Sequence, residues 1–511
     1  MLSKVNSMAL NGLNGYLVEA QVDVSGGMPY FEIVGLPDTS IREAKERVRT
    51  AIKNSGFDFP SRRIIINLAP ANTKKEGSSF DLTIAIGILI SLDIVDAKSI
   101  EDYIFMGELS LDGKLNAING ILPMCIEAHN LGIKKIIVPK ANETEGAIVK
   151  DLEVFGANNL LEAIAHLNKR KLIDRCNSNI ESMLNKEIEY VFDFQDVKGQ
   201  ENVKRALEVS AAGNHNCLLI GSPGSGKTML ARRIPSILPD LAFEESLEIT
   251  KIHSIAGILS NYNALITNRP FRSPHHTVSS TSLVGGGRIP KPGEMSLAHN
   301  GVLFLDELPE FNKNTLEVMR QPLEDGEVTI SRVNATLTYP CNIMFVSSMN
   351  PCPCGYFGSK DKQCTCNTNQ ISKYMGRISG PLLDRIDIHI EVTPVKYKNF
   401  EENIQIETSK IIKERVNRAR RIQLERYKKE YIFSNSQLTP RLMDKYCVLG
   451  DSEKKILESA FERLGLSARA YSRILKVART IADLEESEYI STNNLAEAIQ
   501  YRSLDRKYWN N

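Results

Sequence analysis

Gly221-Ser222-Pro223-Gly224-Ser225-Gly226-Lys227-Thr228 fits the pattern G-x-x-x-x-G-K-[ST] at every position, and what flanks it decides how the chain folds. Asn216-Cys217-Leu218-Leu219-Ile220 before it is a short apolar run that reads as a buried strand, and Met229 to Ile234 after it reads as the start of a helix. Glycines let such a loop curl with its N–H groups turned inward around phosphate oxygens, at the positive end of the following helix. Lys227 is placed to reach the β- and γ-phosphates of a nucleotide, and Thr228 to hold Mg²⁺. A Gly/Ser loop that matches by chance is the alternative; the order strand, loop, helix argues against it.

Downstream, Gly301-Val302-Leu303-Phe304-Leu305-Asp306-Glu307 is an apolar strand ending in two carboxylates. With a phosphate loop upstream, Asp306 is expected to coordinate Mg²⁺ through water, and Glu307 to orient or deprotonate an attacking water. A further apolar strand, Ile343 to Val346, leads to Asn350. In a doubly wound sheet such residues collect at the carboxyl ends of the strands, where ligands bind. Between the two nucleotide motifs lies a long insertion. Its paired His275 and His276 lack a nearby Cys or Asp to complete a metal set. Its triplet Gly285-Gly286-Gly287 lacks a following Lys-Ser/Thr pair and reads as a mobile loop. Val328 to Thr338 reads as two β-runs around a turn near Arg332 to Asn334.

The 511 residues suffice for two to four domains, and 42% hydrophobic with 24% charged is ordinary globular composition. Lys and Arg number 63 against 62 Asp and Glu, so attraction to nucleic acid has to come from local patches. No apolar run is long enough to span a bilayer, and Met1 to Tyr16 has no continuous apolar core, which together predict a cytoplasmic protein with no membrane partner. Nine cysteines argue for reduced thiols or metal ligands over a disulfide framework. Four of them, Cys352, Cys354, Cys364 and Cys366, stand in two C-x-C pairs that can close a tetrahedral zinc site; free or redox-active thiols are the alternative.

Residues 1–170 alternate strand-like and helix-like stretches and read as an independent α/β domain. Lys75 to Leu82, Gly107-Glu108-Leu109 and Gly120-Ile121-Leu122-Pro123 resemble the motif order of the Lon-type peptidase fold. On that resemblance Ser79 falls where the nucleophile lies, but Leu122 falls where the lysine base should be, with Lys114 near in sequence. A serine without a base is a poor nucleophile at neutral pH, so a peptidase-inactive domain is expected. Residues 171–190 read as a linker, 191–398 as the nucleotide-binding core, and 399–511 as a helical region built on Ile404 to Lys429 and Ser467 to Glu486. The basic residues between Lys410 and Lys429 fit either a solvated helix face or a second nucleic-acid contact.

Arg269 to Thr277, Gly301 to Phe311, Gln321 to Gly326, Asn350 to Gly355 and Gly380 to Asp387 together resemble the magnesium-chelatase-like AAA+ ATPases of the ComM/YifB family. The resemblance implies a Lon-protease-like α/β domain, an AAA+ P-loop ATPase core with helix-2 and pre-sensor-1 insertions, and a C-terminal helical lid. It implies ATP and Mg²⁺, a homohexameric ring, and work on single-stranded or branched DNA of the helicase or branch-migration type, in natural transformation or recombination. On it Asn350 matches sensor 1, Arg385 the arginine finger offered to a neighbouring subunit, and Arg469 the lid arginine called sensor 2, with Arg473 the second choice. The hairpin around Arg332 would line the pore and grip DNA. A chelatase-like or chaperone-like ring that remodels a protein partner is the competing reading.

Overall fold

The computed structural model describes residues 2–184, 190–259, 264–287, 290–332, 335–359, 362–395, 406–464, 467–504 and 508. The chain divides into two compact units: residues 1–186 with 243–267, and residues 187–242 with 268–511.

In the first unit a seven-stranded mixed sheet runs in the order Tyr30–Val34, Arg63–Ala69, Asn14–Ser25, Leu2–Asn11, Tyr103–Phe105, Lys135–Pro139, Glu153–Ala157. Leu2–Asn11 and Asn14–Ser25 form an antiparallel hairpin, and alternate residues of both are buried, as a sheet covered on one face requires. Helix Thr39–Asn54 begins where the Asp38 carboxylate accepts the Ile41 N–H at 2.8 Å, and its buried residues Ile41, Ala44, Val48, Ala51 and Ile52 recur at helical spacing. Helix Asp81–Ser91 is apolar all round and wholly buried. Its first residue, Asp81, is held by two Arg47 nitrogens at 2.8 and 3.0 Å.

Residues 243–267, which the sequence reading placed within the nucleotide-binding core, cluster instead with this first unit. Helix Phe243–Ala256 packs on helix Ile121–Asn130. The Ser254 carbonyl accepts the Gly120 N–H at 3.2 Å, and the Ser254 hydroxyl donates to the buried carboxylate of Glu145. Glu145 also accepts the Leu122 N–H at 2.9 Å, so one carboxylate ties together two segments far apart in sequence. Its burial pushes that carboxyl above the usual range.

The second unit carries a five-stranded, all-parallel sheet in the order Phe271–Arg272, Val302–Leu305, Met344–Met349, Cys217–Ile220, Ile388–Glu391. The three central strands are buried at every residue, as parallel strands covered on both faces should be. Helices Glu201–Gly213, Ser409–Arg426 and Ala468–Leu484 share one apolar core with that sheet, including Ala211, Cys217, Val346, Val416 and Ile474. Of the glycine triplet, Gly285 and Gly286 pair antiparallel with Pro292 and Lys291. Glu327–Arg332 and Ala335–Pro340 form a hairpin in which Arg332 pairs with Ala335; residues 333–334 lie outside the described residues.

Candidate nucleotide site

The site is built at the carboxyl ends of three neighbouring strands. Cys217–Ile220 runs into the phosphate loop, which turns through Gly224 (φ +77°) and Gly226 (φ +93°) into helix Lys227–Ala231. Gly221 is fixed by a close approach of backbone, since a Cβ there would stand 2.2 Å from the Val392 carbonyl oxygen. Lys227 Nζ donates to the carbonyls of Gly221 and Ser222 at 2.7 and 2.9 Å and to Asn350 Oδ1 at 3.1 Å. Burial lowers its pKa, while Asp306 and Glu307 pull the other way. An arriving triphosphate favours the charged ammonium for the same electrostatic reason.

Val302–Leu305 delivers the two carboxylates. Asp306 Oδ2 accepts the Thr228 hydroxyl at 2.7 Å, so the two groups expected to share Mg²⁺ already converge. Its other oxygen accepts the Ser348 hydroxyl and, at 3.1 Å, the Glu307 N–H. Glu307 adopts left-handed backbone (φ +54°), a sharp bend for a non-glycine residue placed directly after the strand. Asn350 follows strand Met344–Met349, and its side-chain oxygen is the one that meets Lys227. Ser348 was missed in the sequence. Ser348 was within reach of strand alternation, because it lies two residues before Asn350 and shares its face.

A cavity of about 750 Å³ adjoins the loop, lined by Gly199, Gln200, Ile390, Val395, Ile406 and Tyr501 among others. Gln200 connects it to the phosphate loop, its side-chain amide donating to the Ser225 carbonyl at 3.5 Å.

Arg385, expected to serve a neighbouring subunit, and Arg469, expected as the lid arginine, both lie away from Lys227 within this chain. Arg385 donates to the carbonyls of Arg320 and Pro381, both at 2.7 Å, and to the Glu324 carboxylate. Arg469 pairs with Asp384 at 2.7 Å, and Arg473 pairs with the buried Asp387. All three arginines line a polar cavity of about 540 Å³ together with Asn216 and Asn342. Those asparagines precede the Cys217–Ile220 and Met344–Met349 strands, so this cavity lies at the amino edge of the sheet. Lys227 lies at the carboxyl edge, a four-residue strand or roughly 13 Å away. Within one chain neither Arg385 nor Arg469 meets Lys227.

Cys352, Cys354, Cys364 and Cys366 converge, with all four sulfurs within 4.8 Å of one another. Burial works to raise the Cys354 thiol, but the backbone N–H groups of Thr365 and Tyr356 and the thiols of Cys352 and Cys366 hold it down at about 5. The remaining candidates stay apart from the site chemistry. His275 and His276 lie against each other with tilted rings, centroids 4.0 Å apart, and His275 bonds Thr277. In the first unit Leu122 is fully buried and Lys114 is exposed and paired with Asp112, so neither supplies a base for Ser79. Arg332 sits at the end of its hairpin strand.

A parallel sheet that presents a phosphate loop, paired carboxylates and a polar side chain at one edge defines a P-loop ATPase. Residues 193–400 match the family described as Magnesium chelatase, subunit ChlI; residues 20–142 match Subunit ChlI of Mg-chelatase; and residues 406–502 match Magnesium chelatase, subunit ChlI C-terminal. The chain is thus a magnesium-chelatase-like AAA+ ATPase. It is 42% identical to Competence protein ComM of Haemophilus influenzae over 508 residues, 99% of this chain and 98% of that one. It is also 42% identical to the YifB protein of Escherichia coli over 507 residues, again 99% and 98% of the two chains. The Magnesium-chelatase 38 kDa subunit of Rhodobacter capsulatus is 24% identical over 179 residues, 32% of this chain and 51% of that one. The chain belongs to the ComM/YifB family of magnesium-chelatase-like ATPases.

Proposed function

We propose that this chain is an ATP-driven ring motor that acts on single-stranded or branched DNA. The observation that carries the motor reading is the separation of Lys227 and Arg385 at opposite edges of one sheet. A site split in this way is completed when a second copy presents its amino edge to the first copy's phosphate loop, which is the geometry of a head-to-tail ring. Lys227 and the loop amides hold the phosphates, the cavity beside Gln200 takes the nucleoside, and Glu307 takes a proton from the attacking water. Thr228 and Asp306 would hold Mg²⁺, which neutralises charge on the β- and γ-phosphate oxygens. The first unit is read as a Lon-type fold that has lost its base, and the helices of 406–504 as the lid.

The DNA half of the reading rests on the hairpin ending at Arg332 and on the name of the Haemophilus influenzae relative, a competence protein. The Rhodobacter capsulatus relative is named as a magnesium-chelatase subunit, and a chelatase-like motor that remodels a protein partner is the second reading. ATP turnover at low salt, with single-stranded, duplex or branched DNA and with an unfolded protein, separates them. Stimulation by DNA supports the first; stimulation by the protein alone replaces it with the second.

A further inference from the structure

Cys352 Sγ lies 3.4 Å from Cys354 Sγ and 3.7 Å from Cys364 Sγ, and the latter two sulfurs are 3.5 Å apart. Four thiolates bound at 2.3 Å to one tetrahedral ion stand about 3.8 Å from each other, so the cage already has the size of a single-ion site. Two backbone donors point at it: the Cys354 N–H to Cys366 Sγ at 3.4 Å and the Phe357 N–H to Cys352 Sγ at 3.3 Å. Donors of this kind support metal-bound thiolates. All four cysteines are free thiols.

The cage is also joined to the nucleotide site at two points. It begins two residues after Asn350, whose side chain accepts from Lys227. Gly355 (φ +86°) lies so close over the phosphate loop that a Cβ there would stand 2.4 Å from Pro223 Cδ. The loop that follows Asn350 thus touches both halves of the phosphate-binding machinery, Lys227 through Asn350 and the glycine-rich turn through Pro223.

We propose that Cys352, Cys354, Cys364 and Cys366 bind one Zn²⁺, and that this ion positions Asn350 and Pro223 against Lys227. The positioning role rests on the ATPase reading; the metal site does not. Binding displaces the thiol protons to solvent and closes two C-x-C turns into one rigid unit. A thiolate set of this geometry suits zinc or iron, and elemental analysis together with the visible spectrum separates them. Without the metal the only covalent constraint on the loop is its own chain, and Asn350 loses the frame that aims it.

Freshly purified, reduced full-length protein should contain one zinc per chain, and the variant with all four cysteines changed to Ser should contain none. Chelation should speed amide hydrogen exchange in residues 350–356 and 221–228, and added Zn²⁺ should restore protection. The same treatment should lower kcat by about 10- to 100-fold, with a smaller change in KM. Gly355→Ala should keep its zinc yet hydrolyse more slowly. Should the quadruple variant not fold, the reversible chelation arm decides. Protein that is metal-free or holds iron overturns the zinc assignment, and zinc whose removal leaves both segments equally protected overturns the positioning role. Zinc content and exchange are read without turnover, so a wild type that does not hydrolyse ATP would sink the ATPase reading and leave the metal site standing.

Discussion

Lys227, Glu307 and Ser348 serve the nucleotide site in different ways, and their variants should separate accordingly. Lys227→Ala removes the ammonium that anchors the phosphates, so equilibrium binding of a fluorescent ATP analogue should weaken. Glu307→Gln keeps the shape and loses the base, so the analogue should bind normally while turnover falls by roughly 10²- to 10⁴-fold. Equal turnover by wild type and Glu307→Gln would remove Glu307 from the mechanism. Ser348 reaches only Asp306 and the Glu307 N–H, so Ser348→Ala should raise the Mg²⁺ concentration needed for half-maximal rate by about 10-fold, without loss of stability. An unchanged Mg²⁺ dependence would show that Thr228 alone fixes Asp306. At this scale most of the site was legible, because a phosphate loop and strand-terminal carboxylates are local patterns whose chemistry allows few substitutes. Ser348 carries no motif of its own, and only strand alternation from Asn350 could have pointed to it.

Helix Ser409–Arg426 shows what a charge pattern hides. Its basic residues fitted a nucleic-acid face as well as a solvated one, yet Lys413 pairs with Asp240, Arg415 with Glu208 and Glu407, Arg418 with Glu486, and Arg426 with the buried Asp483. Except for Glu407, these partners lie 57 to 207 residues away in sequence, where a helical repeat cannot show them. Lys410, Arg421, Lys428 and Lys429 are exposed. DNA contact is therefore expected of the hairpin: Arg332→Ala should reduce stimulation by DNA and leave basal hydrolysis intact. Binding that this variant does not weaken at any salt concentration would move the contact elsewhere, since phosphate contacts fade steeply as salt rises. The junction of sheet and helices makes a second prediction. Burial works to raise the Asp387 carboxyl, but Arg473, His215 and Lys476 outweigh it and hold it below the ordinary value of 3.8. A carboxylate depressed in the fold contributes stability that is present above pH 3.8 and lost as pH falls below it. Asp387→Asn strands Arg473 and the half of His215 that faced it, and should cost on the order of 3 kcal/mol at neutral pH in thermal or denaturant unfolding. The variant should also lose part of the wild type's fall in stability below pH 3.8; a parallel decline in both proteins would show that other acids govern it.

At the scale of the whole chain, sequence order and spatial grouping part company. Residues 243–267 stand between the phosphate loop and the carboxylate strand, and composition gave no sign that they belong with residues 1–186. Their grouping rests on an apolar cluster of Ala264 and Leu265 with Leu122 and Ile148, and on contacts of Ser254 with Gly120 and Glu145, pairings distant in sequence that no periodicity announces. The arginines pose the same problem in another form. Arg385 and Arg469 were recognisable by pattern, but no pattern states which edge of a sheet a residue will occupy. If Arg385 serves a neighbouring copy, as proposed, its place at the amino edge leaves a single chain without that cation, and this yields a test that depends on assembly. Arg385→Ala should bind ATP as wild type does and lose turnover by about 10³-fold or more, the size of effect expected when a phosphoryl-transfer cation is removed. Lys227→Ala should lose turnover because it cannot hold ATP. In a mixture, a boundary formed by the intact phosphate loop of an Arg385→Ala chain and the intact Arg385 of a Lys227→Ala chain has every required part. The mixture should therefore recover activity that neither variant shows alone, with a maximum near equal proportions and a loss on dilution below the assembly concentration. If the mixture stays inactive while mass measurements show mixed rings, Arg385 does not act across a boundary. If wild type keeps its full specific activity as a monomer, the site is complete within one chain, and the grouping of Arg385, Arg469 and Arg473 serves the stability of the sheet edge alone.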